Sequence, residues 1–154
     1  MVTYITGDLM KTTAGALCNT VNTVGVMGKG IALQFKKAFP RNYQVYRNVC
    51  MNRQLNIGEL LAVKDGNLLF GEKLIINFPT KTHWRKPSEY AYVEKGLIAL
   101  RKYIIANRLK SLAIPAPGCG NGGLSYKTVK AMIENYLSGL DCRIEVYEPI
   151  EDLS

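Results

Sequence analysis

Histidine is almost missing from this chain: His83 is the only one among 154 residues. The four cysteines, Cys18, Cys50, Cys119 and Cys142, stand far apart and form no C-x-x-C pair. A zinc site draws about four nitrogen or sulfur ligands at clustered spacing, so the sequence argues against a metal centre. The scattered cysteines read instead as free thiols in a reducing compartment. No apolar run approaches the ~20 residues of a membrane span. The start, Met1-Val-Thr-Tyr-Ile-Thr-Gly-Asp8, lacks a basic region followed by an apolar one. Nothing there marks the chain for export, and a cytoplasmic location is expected. Acidic residues are also few, 12 against 20 Lys and Arg, giving a formal net charge of +8. That balance suits a polyanionic partner through phosphate neutralisation and steering, although a basic surface also aids solubility.

What is present is a chain that is 47% hydrophobic and long enough for one domain, 1–154, with its own core. Its organising stretch is Asn19-Thr-Val-Asn-Thr-Val-Gly-Val-Met-Gly-Lys-Gly-Ile-Ala-Leu33. A β-branched run leads to Asn22. Gly25, Gly28 and Gly30 follow within six residues, and a helical pattern starts at Ile31. Glycine lets a ligand approach the backbone closely, and free N–H groups at a helix start favour an anion. A tight connection would need one glycine rather than three. A second loop of the same kind occurs at Pro115-Ala-Pro-Gly-Cys-Gly-Asn-Gly-Gly-Leu124. Two such loops suggest one ligand held from two sides.

Strands are predicted over Val2–Thr6, Ala16–Val21, Leu60–Val63, Asn67–Phe70, Lys73–Phe78, Ser111–Ile114 and Cys142–Tyr147. The pair Asp65-Gly66 signals a hairpin. Ile31–Phe39 reads as a helix stopped by Pro40, and Tyr43–Met51 as another, with Tyr43 and Tyr46 in the core. Ser88 is a plausible N-cap for a helix running to about Asn107, and Ser125–Leu137 is the last helix. Alternating strands and helices indicate an α/β sandwich over a mostly parallel sheet, whose ligands bind beyond the carboxyl ends of the strands. Gly118, Gly120 and Gly123 satisfy G-x-G-x-x-G, with Asp141 about 20 residues on. A dinucleotide fold is still rejected, because only about thirty residues remain after that motif. No G-x-x-x-x-G-K-[ST] occurs either.

The segment Pro79-Thr-Lys-Thr-His-Trp-Arg-Lys-Pro87 breaks the periodicity and carries Lys81, His83, Trp84, Arg85 and Lys86 in six residues. It is either a solvated basic loop with one anchoring tryptophan or the seat of a reactive lysine. A lysine nucleophile must be neutral, against an ordinary pKa of about 10.4. Neighbouring cations and desolvation lower that value, and the basic residues around Lys81 are compatible with it.

Together, Asn19 to Phe35, Asn77 to Ser88 and Pro115 to Leu124 resemble the macrodomain family, in particular its DarG branch. Members of that branch are antitoxins that remove ADP-ribose from DNA in DarT–DarG systems. The chain is similar, more distantly, to the terminal ADP-ribose protein glycohydrolase. The resemblance runs from Thr3 to the final strand. It implies a three-layer α/β/α sandwich with a mixed, mostly parallel six-stranded sheet and ADP-ribose in the cleft above it. Asp8 would accept from the adenine amine, with Leu9 beside it. Gly25, Val26, Met27, Gly28, Lys29, Gly30 and Ile31 would wrap the distal ribose and a phosphate. Pro117, Gly118, Cys119, Gly120, Asn121 and Gly122 would hold the diphosphate through backbone N–H groups, and Thr20 and Thr80 join the ligand set. Asn22 would face the distal ribose or the linked base, and Lys81 matches the lysine on which glycohydrolase activity depends.

The implied reaction cleaves the bond from the distal ribose C1″ to a thymine nitrogen. Lys81 would act as a Schiff-base nucleophile or as an acid or electrostatic group. The relative acting on protein pairs its lysine with an aspartate in the second glycine loop, whereas this chain reads Gly120-Asn121-Gly122-Gly123. Glutamate-linked ADP-ribose is therefore a weaker expectation. Alternatives in the same cleft are a reader, or a hydrolase of O-acetyl-ADP-ribose or ADP-ribose-1″-phosphate. No cofactor is expected. The partners implied are ADP-ribosylated DNA and a DarT-like toxin, with the domain itself a monomer. DarG antitoxins usually carry a further C-terminal domain, so an isolated macrodomain or a stand-alone version is expected.

Overall fold

The three central strands alternate their side chains between two helical layers. In β2 (Ala16–Asn22), Ala16 and Cys18 face one core and Leu17 the other. In β4 (Gly71–Lys81), Ile76 and Phe78 face the first core and Ile75 the second. In β5 (Ser111–Pro115), Leu112 and Ile114 oppose Ala113 in the same way. Successive strand residues point to opposite faces, so these apolar runs require helices on both sides. The structure, a computed structural model, describes residues 1–67, 69 and 71–149. The remaining elements are β1 (Val2–Ile5), α1 (Gly30–Ala38), α2 (Pro40–Met51), β3 (Leu61–Asn67), α3 (Tyr90–Asn107), α4 (Tyr126–Leu137) and β6 (Arg143–Tyr147).

One six-stranded sheet runs in the order β1-β6-β5-β2-β4-β3. Every neighbouring pair is parallel except β3 with β4. Val93, Leu97, Leu100 and Ile104 of α3 join Val129, Ile133 and Leu137 of α4 against one face. Phe35 of α1 and Tyr46 and Cys50 of α2 belong to the cores on the other. Tyr46 is fully buried and Tyr43 only partly so. This is the expected three-layer arrangement with a mixed, mostly parallel sheet. No helix among the described residues is long and apolar enough to cross a membrane.

Tertiary partners overrule local signals at four places. Pro40 ends α1 but also opens α2 at its first position, where the missing N–H costs nothing. Asp65-Gly66 is not a turn: both residues lie inside β3, paired with Lys73 and Glu72. Asp65 is drawn there because its carboxylate accepts from the Asn42 N–H at the start of α2, at 2.8 Å, a favourable position for an anion. The expected Asn67–Phe70 strand falls partly on positions 68 and 70, outside the described residues, and Asn67 ends β3. β4 does not stop at Phe78 but continues through Pro79 to Lys81. Ser88 is not the N-cap of α3. Glu89 holds that position, without a side-chain cap bond. The Ser88 N–H instead donates to Gly122 O at 3.0 Å.

Candidate functional site

β1, β6, β5, β2 and β4 all point the same way, so the chain leaves each of them at one end of the sheet. A cleft of about 1110 Å³ opens there and takes lining residues from after all five strands. β1 and β4 are four strand spacings apart, roughly 19 Å at about 4.8 Å each. The cleft carries Asp8 and Glu148 toward the β1 and β6 end and Lys29 and Lys81 toward the β2 and β4 end. It is therefore long and electrically polarised.

At the cationic end the register of β2 against β4 slips. Val21 pairs with Pro79, and the next pair is Asn22 with Lys81, leaving Thr80 as the extra residue. Such bulges re-aim side chains, and this one sets Asn22 opposite Lys81. The Asn22 side chain holds its own loop. Its Oδ1 accepts from Val24 N at 3.1 Å, Val26 N at 3.3 Å and the Tyr46 hydroxyl at 3.0 Å. Its Nδ2 donates to Val26 O at 2.8 Å. Thr23 ties the same loop to β4, its N–H donating to Lys81 O and its hydroxyl to Thr82 O.

Lys81 is half-buried. Desolvation, and secondarily the charge of Lys29, hold its ammonium below the ordinary lysine range. The cation that presses on it thus comes from the glycine loop, not from the basic residues of its own segment. Both causes favour the neutral amine. Cys119, the cleft's cysteine, is pushed the other way: burial raises its thiol to about 11, so it is no thiolate nucleophile at neutral pH. All four cysteines are free. No three His, Cys, Asp or Glu side chains converge as metal ligands among the described residues.

The two glycine loops meet. Gly30 has φ +65°, and a Cβ there would stand 2.8 Å from Asn121 Nδ2. A side chain would thus face both a strained backbone and the opposite loop. Gly30, Ile31 and Ala32 open α1, whose N-cap Lys29 makes no side-chain bond, so the first amides of the helix lack an intrahelical partner beside the cleft. Gly120 has φ +74°, and among the described residues no atom beyond its chain neighbours lies within 4 Å of where a Cβ would be.

Of the expected ligand residues, Asp8, Leu9, Thr20, Val26, Gly28, Lys29, Gly30, Ile31, Thr80, Gly118, Cys119, Gly120, Asn121 and Gly122 line the cleft, as do Asn22 and Lys81. Gly25, Met27 and Pro117 are outside the lining. Met27 is buried against Val21 and Tyr46. Asp8 also caps a 3-10 turn, accepting from Met10 N at 3.0 Å. Trp84, Thr6, Ala32, Gln34 and Tyr147 to Pro149 also line the cleft without having been singled out for it. The parallel run of β6 was the signal for the last three, because its end must point the same way as that of β2.

A six-stranded mixed sheet between two helical layers, with an anion-ready cleft across its carboxyl end, defines a macrodomain. The chain matches the Macro domain family over residues 18–133 and belongs to it. Within that family it is similar to DarG proteins. It is 48% identical over 153 residues to the DNA ADP-ribosyl glycohydrolase of Thermus aquaticus, covering 99% of this chain and 42% of that protein. It superposes on the macrodomain of Mycobacterium tuberculosis DarG with a TM-score of 0.92 at 45% identity, covering 97% of this chain and 99% of that one. Thermosipho africanus DarTG, solved in complex with ADP-ribose, gives a TM-score of 0.91 at 34% identity, covering 99% of this chain and 43% of that one. The chain thus spans less than half the length of the curated DarG relative.

Proposed function

We propose that this macrodomain binds ADP-ribose in the cleft and hydrolyses its linkage to thymidine in DNA. The observation that carries the reading is Lys81. Its ammonium is pressed toward the neutral form, it lies opposite Asn22, and it lines the cationic end of the cleft. The relative in complex with ADP-ribose supports the ligand, and the name of the Thermus aquaticus relative supports the reaction.

On this reading the adenine end lies toward Asp8, and the diphosphate faces the amides of the Gly118–Gly122 loop and of the start of α1. The distal ribose then reaches Lys81. Water adds at C1″, the bond from C1″ to the thymine nitrogen breaks, and that nitrogen regains a proton. Lys81 either attacks C1″ as the base departs, giving a Schiff base with the opened ribose that water then hydrolyses to ADP-ribose and the free amine, or supplies charge and a proton to the departing base. Asn22 positions the loop that holds the ribose. The same reading makes the protein a cytoplasmic, monomeric antitoxin domain opposing a DarT-like toxin and so repairing DNA.

The test sets a thymidine-ADP-ribosylated single-stranded oligonucleotide beside glutamate-linked ADP-ribosyl protein, O-acetyl-ADP-ribose and ADP-ribose-1″-phosphate. ADP-ribose is expected from the oligonucleotide, faster than from the others. Turnover of an ester or phosphate substrate alone would assign the cleft to a different linkage. Tight ADP-ribose binding with no turnover of any substrate would make the protein a reader.

A further inference from the structure

The segment between β4 and α3 carries an exposed aromatic group that ADP-ribose cleavage leaves without a role. Trp84, the single tryptophan of the chain, is not an anchor. It is 42% exposed and lines the cleft three residues from Lys81. The His83 ring stacks on it with centroids 5.3 Å apart and planes at 28°. The Arg85 guanidinium lies 4.5 Å from its ring centroid. The turn is fixed from within: Arg85 N donates to His83 Nδ1 at 3.1 Å, and Lys86 N donates to His83 O at 3.0 Å. Thr23 anchors its start to the first glycine loop. Three planar groups, two of them exposed, are thus held together at the rim beside the proposed reacting bond.

The electrostatics has one sign. Neither 19–31 nor 79–88 contains a carboxylate, while Lys29, Lys81, Arg85 and Lys86 all carry amines or guanidinium. The first carboxylate beyond is Glu89, the N-cap of α3, near the Tyr92 hydroxyl. Exposed aromatic and guanidinium planes interleaved with cations suit single-stranded nucleic acid: bases stack on the planes and phosphates meet the charges. A protein partner would call for hydrogen-bonding variety or an apolar patch, and the exposed apolar groups of the adjoining loop are two small side chains, Val24 and Val26.

We infer that Trp84 and Arg85 form a subsite for the DNA strand flanking the modified thymine. A neighbouring base stacks on the Trp84–Arg85 face, and its phosphate is met by Arg85 and Lys86. The inference rests on the reading of ADP-ribosylated DNA as substrate. In that substrate the strand must leave the cleft from beside C1″, where this turn stands. The subsite favours single strands, because a base inside a duplex cannot present its face to Trp84.

The experiment measures kcat/KM for an ADP-ribosylated thymidine oligonucleotide and for ADP-ribosylated thymidine nucleoside, and takes their ratio. Trp84→Ala and Arg85→Ala should each lower the ratio by about five- to hundredfold, the range of one base stacked on one aromatic ring. Trp84→Phe should recover most of it. A ratio unchanged by both alanine variants, or a wild-type ratio near one, overturns the subsite while leaving the hydrolase reading intact. If wild type cleaves neither substrate, the hydrolase reading fails and the fluorescence of Trp84 decides the subsite. Protein saturated with ADP-ribose is titrated with unmodified oligothymidine. Quenching upholds the subsite, and unaltered emission removes it.

Discussion

Asn22 is the position where sequence pattern and structure assign different work to one side chain. Read as a ligand-facing group, its loss should silence the chemistry and leave the fold alone. The structure shows four hydrogen bonds at its amide: Oδ1 accepts from Val24 N, Val26 N and the Tyr46 hydroxyl, and Nδ2 donates to Val26 O. Asn22→Ala removes all four, although Tyr46 keeps its bond to Asn22 O at 2.7 Å. Each such bond contributes about 1 kcal/mol net. Water can reach the exposed Val24 and Val26 and repair part of the loss. About 2–3 kcal/mol of loop ordering should therefore disappear, with Tm falling by several degrees for a chain of this size. The more specific signature is local. Val24 and Val26 N–H each lose their acceptor, and about 1–2 kcal/mol of opening free energy at these amides corresponds to roughly five- to thirtyfold faster hydrogen exchange. ADP-ribose affinity should fall with it, because Val26 and Gly28 line the cleft. Hydrogen exchange by NMR on wild type and variant reads this directly. Unchanged protection at Val24 and Val26, with turnover abolished, would refute the clamp and return Asn22 to a role on the substrate.

Four further outcomes are expected. Lys29→Met removes the charge that presses on Lys81 while burial remains, so Lys81 should titrate at higher pH and the pH–rate profile should move the same way; a stationary profile would leave burial as the sole cause. A lysine whose folded pKa is depressed costs stability below that pKa and regains it as pH rises toward the ordinary value, so Lys81→Met should unfold at an equal or higher temperature at pH 7, and a clear fall in Tm would contradict the assigned direction. Gly96→Ala would put a Cβ 2.2 Å from Phe78 Cζ and 2.3 Å from its Cε1. Overpacking at about 3 kcal/mol, less about 1 kcal/mol of helix propensity, predicts a Tm lower by about 4–8 °C, whereas a stabilised variant would mean the ring can move aside. Ser88→Ala should cost under about 0.5 kcal/mol in urea denaturation, since the buried Ser88 Oγ has no hydrogen-bond partner among the described residues, against about 1 kcal/mol for a true N-cap.

Features encoded locally were legible before the fold was seen. Three glycines between a β-branched run and a helical pattern mark a strand–loop–helix joint whatever surrounds them, and the alternation of Ala16, Leu17 and Cys18 implies two covered faces. Features made by distant partners were not. Asp65 reads as a turn residue until Asn42, 23 positions away, is seen to donate to its carboxylate. Pro79 reads as a strand breaker until Val21 is seen beside it. Lys81 was marked by its crowded cations, yet the cation that acts on it is Lys29, which only the folded loop brings near. Trp84 carried the weakest signal of all, because a lone tryptophan is more often core than rim.

The central claim is that Lys81 is the group on which cleavage of the DNA linkage depends, and it is tested most directly by product release. Wild type and Lys81→Ala are incubated with a thymidine-ADP-ribosylated single-stranded oligonucleotide, with ADP-ribose affinity measured for both by calorimetry. Free ADP-ribose should appear with wild type and fall by at least about a hundredfold with the variant, while the two dissociation constants stay within a few-fold. Equal release by both proteins would contradict the account.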